Sequence, residues 1–384
     1  MHVFSSQHKV GILGGGQLGK MLLYNTRKFD IHTCVLDPNP EAPSKIACNA
    51  FFVGDLMDYD TVFEFGKNVD TLTIEIENVN VDALSALEKE GVKVYPSAET
   101  LATIQNKAKQ KLFYVDHELP TAEFTRYAYI EELKRAVEHK VQTLPFVWKS
   151  AQFGYDGKGV KIVRKSSDLD ELPNVECIAE ALVPFKKELA VTVARTPNGE
   201  VGVYPVVEME FHPEANQVEY VLCPARIPEN LAKKAELVAL KTAAAFHHVG
   251  LLAVELFLTE NDDILINEVA PRPHNSGHQT IEASYTSQFE QHIRAILNLP
   301  LGETKNKVSG VMVNLVGEEG HQGEVVYKNI EEILKLDGVT PHIYGKKETR
   351  PFRKMGHVTI VHPEINQARA IAQQVKETIK VISK

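Results

Sequence analysis

The sequence predicts an α/β protein in three parts: a doubly wound, Rossmann-like domain over residues 1–100, a two-lobed middle over 101–300, and a small β-rich C-terminal domain over 301–384. Three observations carry this. Strand and helix patterns alternate through the first hundred residues, as a parallel sheet requires. The middle runs through antiparallel strand patterns and closes on a hairpin at 253–270. After Pro300 the chain turns polar (GETKNK) before a last set of short strands.

In the first part, the strand Lys9–Leu13 leads through Gly14-Gly15-Gly16-Gln17-Leu18-Gly19 into a helix, and a second strand, 31–36, ends at Asp37. This satisfies the dinucleotide fingerprint, glycines at a helix N-terminus with an acid about 20 residues on. An NAD(P)-dependent dehydrogenase is therefore one reading. The same glycines also suit another phosphate, or close packing of helix on strand. The segment 71–77 is expected as a strand, with Glu75 and Glu77 on one face near its C-terminal end, where open sheets bind ligands. Of the two, Glu77 is the expected site residue; the alternative is a solvated strand end.

A Lys-rich helix is expected over 98–118, with Lys107, Lys109 and Lys111 on a solvated face. The strand LPFVWK ends at Lys149 and is followed by SAQFGYDGKGVKIVRK. Gly154, Gly157 and Gly159, flanked by Lys149 and Lys158, read as a hairpin lid over a triphosphate, because glycines let backbone N–H groups approach phosphate oxygens. A plain surface hairpin is the alternative. The strand CIAEALV (177–183) carries Glu180, and a half-buried strand starts at Glu188. The break between them can offer backbone groups to an adenine and a carboxylate to ribose hydroxyls. His212 falls at a turn. Helices are expected over 230–248 and 281–297.

The hairpin is the most informative stretch. AVELFL and ILINEVA flank the turn ENDD, and each run carries a glutamate among apolar residues. A turn centred between Asn261 and Asp262 sets Glu255 opposite Glu268. Like charges so placed repel, and Mg2+ would offset that repulsion. A register one residue out would send both acids to solvent. The loop PRPHNSGH then delivers Arg, His, Asn and Ser to the metal. Near the C-terminus, Lys346, Lys347, Arg350, Arg353 and Lys354 precede a strand at 358–361 and suggest an anionic ligand or a solubilising turn.

A net charge of −9 argues against a nucleic-acid surface. Four cysteines without a CxxC pair suggest a reducing compartment and no zinc site. No secretory signal pattern and no membrane-length apolar run are present, so a cytoplasmic protein is expected.

GYDGKG and NEVAPRPHNSGH, with RKMGH near the C-terminus, resemble the ATP-grasp superfamily and, within it, the N5-carboxyaminoimidazole ribonucleotide synthetase family. The resemblance covers essentially the whole chain. It implies an ATP-grasp fold, ATP and Mg2+, and carboxylation of 5-aminoimidazole ribonucleotide with bicarbonate by way of carboxyphosphate, in a homodimer. It assigns the nucleotide to Lys107, Lys149, Gly154, Tyr155, Asp156, Gly157, Lys158, Gly159, Val160, Glu180, Ala181, Leu182, Val183, Glu188, His212, Asn267 and Glu268. Glu255 and Glu268 hold the metal. Gly16, Gln17, Glu77, Arg272, His274, Asn275, Ser276, Arg353 and Lys354 fall to the ribonucleotide and bicarbonate, and Tyr155, Asp156, Lys158, Arg272 and Lys354 to catalysis. Lys107 and Lys158 stand where the family commonly has arginine. Other ATP-grasp carboxylases or ligases are the nearest alternatives. Strict alternation along the strand would turn Asn267 away from Glu268.

Overall fold

The computed structural model describes residues 3–4, 7–152, 159–212 and 217–384. Gly154, Tyr155, Asp156, Gly157 and Lys158 lie outside the described residues.

The first unit runs Lys9–Leu13 (β1), Gln17–Lys28 (α1), His32–Asp37 (β2), Ala50–Val53 (β3), Tyr59–Gly66 (α2), Thr71–Ile74 (β4), Val81–Lys89 (α3) and Lys93–Tyr95 (β5). Its strands pair in parallel in the order β3-β2-β1-β4-β5. β1 is central and apolar on both faces, as a doubly wound sheet demands. Leu13 packs with Leu36, Leu72 and Leu84 on one side. Val10 and Ile12 pack with Leu22 on the other, where Phe289 and Ile293 join from the middle of the chain.

The expected strand over 71–77 stops at Ile74. Beyond it, Gln105 Nε2 donates to the carbonyls of Glu77 and Val79 at 2.7 and 2.8 Å, which holds the chain in a turn. The expected helix over 98–118 is two, Ala98–Ile104 (α4) and Lys107–Asp116 (α5). Asn106 caps the second, its Oδ1 accepting the Lys109 N–H at 2.9 Å.

A small lobe follows: Phe124–Tyr127 (β6), Ile130–Glu138 (α6), Phe146–Ser150 (β7), Val160–Val163 (β8) and Cys177–Ala181 (β9), an antiparallel sheet in the order β6-β9-β7-β8. The second lobe holds Phe185–Arg195 (β10), Val201–Val203 (β11), Val207–Phe211 (β12), Val218–Cys223 (β13), Glu229–Ala245 (α7), Gly250–Thr259 (β14), Ile264–Ala270 (β15), Thr280–Ala283 (α8) and Gln288–Ile296 (α9). The helix expected over 281–297 is thus also two, and Ser287 caps the second by accepting the Glu290 N–H. The strand expected from Glu188 starts earlier, at Phe185, paired with Thr259.

The last part runs Gly310–Val316 (β16), Gly323–Lys328 (β17), Ile330–Ile333 (α10), Val339–Ile343 (β18), Glu348–Thr349 (β19), Lys354–Val361 (β20), Ile365–Thr378 (α11) and Lys380–Ser383 (β21). β16, β20 and β18 extend the second lobe's sheet, giving β15-β14-β10-β12-β13-β16-β20-β18. Lys354 opens β20, four residues before the strand expected at 358.

Candidate active site

The hairpin β14–β15 pairs Glu255 with Glu268, as expected, but by a different route. Leu256 pairs with Ile266 and Leu258 with Ile264, so the tip is centred on Asn261. A bulge at Asn267 then restores the Glu255–Glu268 pairing. Two residues at a bulge oppose one across the ladder and alternation breaks there. Asn267 therefore turns toward the site, and its Oδ1 accepts from Lys149 Nζ at 3.0 Å. The expectation that it alternates away is corrected.

Their neighbours pull the two carboxyl groups in opposite directions. Burial, with Glu268 and Glu188 beside it, pushes Glu255 up to about 8. Lys107, whose Nζ lies 2.6 Å from Glu268 Oε2, holds Glu268 well below the usual carboxylate range. His274 Nε2 approaches Glu255 Oε1 at 3.5 Å. Glu188, one strand over on β10, is pushed up by burial to about 7.

Lys149, on β7, also meets Glu180 Oε2 at 2.6 Å, and Lys111 meets Glu180 Oε1 at 2.6 Å. Both lysines are buried, Lys111 at 2 % exposure. Burial would raise the Glu180 carboxyl, but Lys149 and Lys111 carry it below its usual value. Burial pulls Lys111 down to about 8. The solvated face expected for this helix holds only for Lys109, which is exposed. Lys107 and Lys111 turn inward, and Lys111 has a role that the lysine spacing did not signal. Glu180 is the counter-ion of two lysines. Leu182 and Val183 lie between β9 and β10, partly exposed, at the seam of the lobes. Gly159 and Val160 lead into β8, with the Gly159 carbonyl accepting the Ser150 N–H at 2.9 Å. His212 follows β12, its ring 5.9 Å from that of Phe352.

Just past β15, Arg272 meets Glu77 in a fork, Nε to Oε1 at 2.8 Å and Nη2 to Oε2 at 2.9 Å. His274 Nδ1 lies 3.0 Å from Ser276 Oγ. Asn275 is buried, and its Nδ2 has no hydrogen-bond partner among the described residues. Lys354 lies close enough for its charge to act on Glu255 and His278. The basic cluster divides. Arg353 donates to the Glu348 carbonyl at 2.6 Å, Lys346 to the Lys354 carbonyl at 2.7 Å, and Lys347 to Glu41.

The glycine loop carries no vacant anion nest. The N–H groups of Gly16 and Gly19 donate to Glu75 Oε1 and Oε2 at 2.6 and 2.7 Å, and that of Gly15 to Asp37 at 2.6 Å. A Cβ at Gly14 or Gly16 would stand 2.5 Å from the Glu75 side chain. Those glycines make room for Glu75, the strand-end acid that the sequence reading passed over in favour of Glu77. Gln17 opens α1 beside this contact. Asp37, the acid a dinucleotide would need for its ribose, is taken up by Gly15 and by the Asn39 N–H.

A doubly wound domain, two sheet lobes and a facing acid pair met by lysines define an ATP-grasp protein. Residues 112–289 match the ATP-grasp domain family, 7–105 the ribonucleotide synthetase preATP-grasp domain, and 310–371 the phosphoribosylaminoimidazole carboxylase C-terminal domain. The chain belongs to the N5-carboxyaminoimidazole ribonucleotide synthetase family. It is similar to the synthetase of that name from Thermotoga maritima, with a TM-score of 0.90 and 41% identity over 98% of this chain and 100% of that one. An Aspergillus clavatus synthase, solved with ADP and 5-aminoimidazole ribonucleotide, gives a TM-score of 0.87 at 34% identity over 97% of this chain and 98% of that one. The chloroplastic phosphoribosylaminoimidazole carboxylase of Vigna aconitifolia is 40% identical over 92% of this chain; the chain spans only 64% of that relative's length. No described helix is long and apolar enough to cross a membrane.

Proposed function

We propose that the chain carboxylates 5-aminoimidazole ribonucleotide at its exocyclic amine, using ATP and bicarbonate, to give N5-carboxyaminoimidazole ribonucleotide, ADP and phosphate in purine biosynthesis. The observation that carries this is the convergence of Lys107, Lys149 and the facing pair Glu255–Glu268 at one edge, with Arg272 and His274 delivered beside it. The fungal relative solved with ADP and the ribonucleotide supports the same pair of ligands here.

Glu255 and Glu268 suit Mg2+: two hard oxygen donors face each other, and the Lys107 ammonium and the His274 ring already stand against them. Glu255 and Glu268 would hold the ion, which would supply positive charge against the transferring phosphate. Lys107 and Lys149 would hold the triphosphate, together with residues 154–160, the seam at Ala181–Val183 the adenine, and Glu188 and His212 the rest of the nucleotide.

Bicarbonate is a poor electrophile. One of its oxygens bonds to the γ-phosphorus as the bond to the bridging oxygen breaks; ADP leaves and carboxyphosphate remains. The amine nitrogen then bonds to the carboxyl carbon, the C–O bond to phosphate breaks, and the amine proton leaves with phosphate. Carboxyphosphate hydrolyses readily, so water must be kept out. Gln17, Glu77, Arg272, His274, Asn275, Ser276 and Lys354, with Tyr155, Asp156 and Lys158, would serve the ribonucleotide and the anion; the Gly16 N–H is held by Glu75 and Arg353 by its own turn.

We place the enzyme in the cytoplasm as a homodimer; four free cysteines suit a reducing compartment. The deciding assay is ADP release. It should need both bicarbonate and aminoimidazole ribonucleotide. Equal release with the ribonucleotide omitted, or tight NADH binding that ATP does not displace, overturns the proposal.

A further inference from the structure

Gln288 opens α9 with its side chain fully buried. Its Oε1 accepts the His274 N–H at 2.9 Å, and its Nε2 donates to the His274 carbonyl at 2.7 Å. One side-chain amide thus engages both backbone groups of His274, as a neighbouring strand would. The pattern also fixes which end of the amide is nitrogen. The second Nε2 proton points at His278 Nδ1, 3.0 Å away. Burial holds His278 neutral, so that nitrogen can accept. The Gln288 N–H donates to Thr280 Oγ1 at 2.9 Å, and that hydroxyl donates to the Gly277 carbonyl at 2.5 Å.

The approach requires Gly277, since a Cβ there would stand 2.4 Å from Gln288 Oε1. His278 in turn lies against His357 of β20, with ring centroids 4.6 Å apart. His357 is three residues beyond Lys354, and its ring also stacks on that of His342, whose Nε2 meets Glu282 Oε1 at 2.8 Å. Gln288 therefore ties the loop bearing Arg272 and His274 to the strand bearing Lys354. It lies outside every substrate contact assigned above.

We propose that Gln288 is a positioning residue for the acceptor side of the site: its amide brackets His274 and, through His278 and His357, sets the loop against Lys354. This rests on the carboxylation reading.

The test compares Gln288→Met with Gln288→Glu. A protonated glutamate keeps an acceptor for the His274 N–H and a hydroxyl donor for its carbonyl. An ionised one turns a negative oxygen on that carbonyl. Around position 288 stand His274, His278, His342 and His357, with Glu282, Lys354 and Arg272 beyond them and Glu290 and His292 on α9 itself. Dividing each rate by the wild-type rate at the same pH removes their titration. Gln288→Met should lower kcat/KM for aminoimidazole ribonucleotide by about tenfold or more at every pH, the scale of a lost buried hydrogen-bond pair. ATP affinity should stay within about twofold. Gln288→Glu should lie near wild type at low pH and fall toward Gln288→Met as the pH rises through its carboxyl pKa, which burial raises. Gly277→Ala should lower the same parameter. A Gln288→Glu ratio flat with pH, or a matching loss of ATP affinity in Gln288→Met, overturns the positioning role alone. Absence of ribonucleotide-dependent turnover in the wild type overturns the carboxylation reading and this inference with it.

Discussion

Glu255 faces Glu268 across the hairpin because the ladder bulges at Asn267. Without the bulge, the ladder centred on Asn261 would set Asn267 opposite Glu255. The bulge does two things at once. It pairs the acids, and it puts the Asn267 amide on the same side, where Lys149 donates to it.

Asn267→Ala keeps the backbone but removes the acceptor from Lys149. Hydrogen bonds to charged groups contribute roughly 1.5–3 kcal/mol. Lys149 keeps Glu180, so the loss should lie near the lower end, about a tenfold fall in kcat/KM for ATP. Steady-state kinetics with ATP varied check this. An unchanged value would mean that the amide only fills space.

Glu255 gives the site a pH signature. Its pKa is raised to about 8, and that of Glu188 to about 7, both by burial first. Between the ordinary carboxylate pKa and these values, the metal-free fold binds protons that the unfolded chain has released. The part of the stability that these two groups contribute therefore falls as pH rises through that window. Glu255→Gln removes one of them, so its melting temperature relative to wild type should rise with pH, and pass wild type toward the alkaline end. Both Glu255→Gln and Glu268→Gln should nearly abolish turnover. Mg2+ binding to the wild type should release protons at neutral pH and tighten as pH rises to about 8. Calorimetry in two buffers of different ionisation heat measures the release; none would sink the assignment of Glu255 as a ligand.

Glu180 balances two ammonium groups, one of them almost wholly buried. Removing one partner of a buried ion pair costs about 3–5 kcal/mol, because it strands the other charge. Glu180→Leu should cost that much in urea unfolding and also weaken ATP binding. Lys111→Met leaves Glu180 paired with Lys149, and should be far milder. Equal effects would mean that the triad is not centred on the carboxylate.

How much of this was legible depended on whether a residue broke the pattern around it. Glu255 and Glu268 stood out because a buried strand has no other reason to hold an acid. The bulge that pairs them left no mark, since Asn267 beside Glu268 reads as ordinary alternation. Lys111 was hidden for the opposite reason: among Lys107 and Lys109 it looked like one more solvated charge, and only burial against Glu180 sets it apart. The glycines at 14–19 were legible as a close approach. The partner was not, because Glu75 lies 56 residues from Gly19 and nothing local says that a carboxylate fills the place of a phosphate. Breaks at Asn106 and Ser287 were in the sequence as N-cap residues, but the lysine and apolar patterns ran across them.

The basic cluster supplies the last prediction. Arg353 and Lys354 are neighbours, so charge alone does not separate them; their partners do. Arg353 is spent on the Glu348 carbonyl, within its own turn. Lys354 begins β20, pairs with Val316 across the sheet, and acts electrostatically on both Glu255 and His278. A desolvated, charge-assisted contact to phosphate contributes about 1.5–3 kcal/mol, whereas an exposed one contributes little. Lys354→Ala should therefore raise KM for aminoimidazole ribonucleotide or lower kcat by about tenfold or more, and leave ATP affinity nearly unchanged. Arg353→Ala should lower the melting temperature slightly and shift the ribonucleotide parameters less than Lys354→Ala does. If ATP affinity falls in Lys354→Ala while the ribonucleotide parameters hold, β20 covers the nucleotide, and the two ligands must exchange places in the cleft.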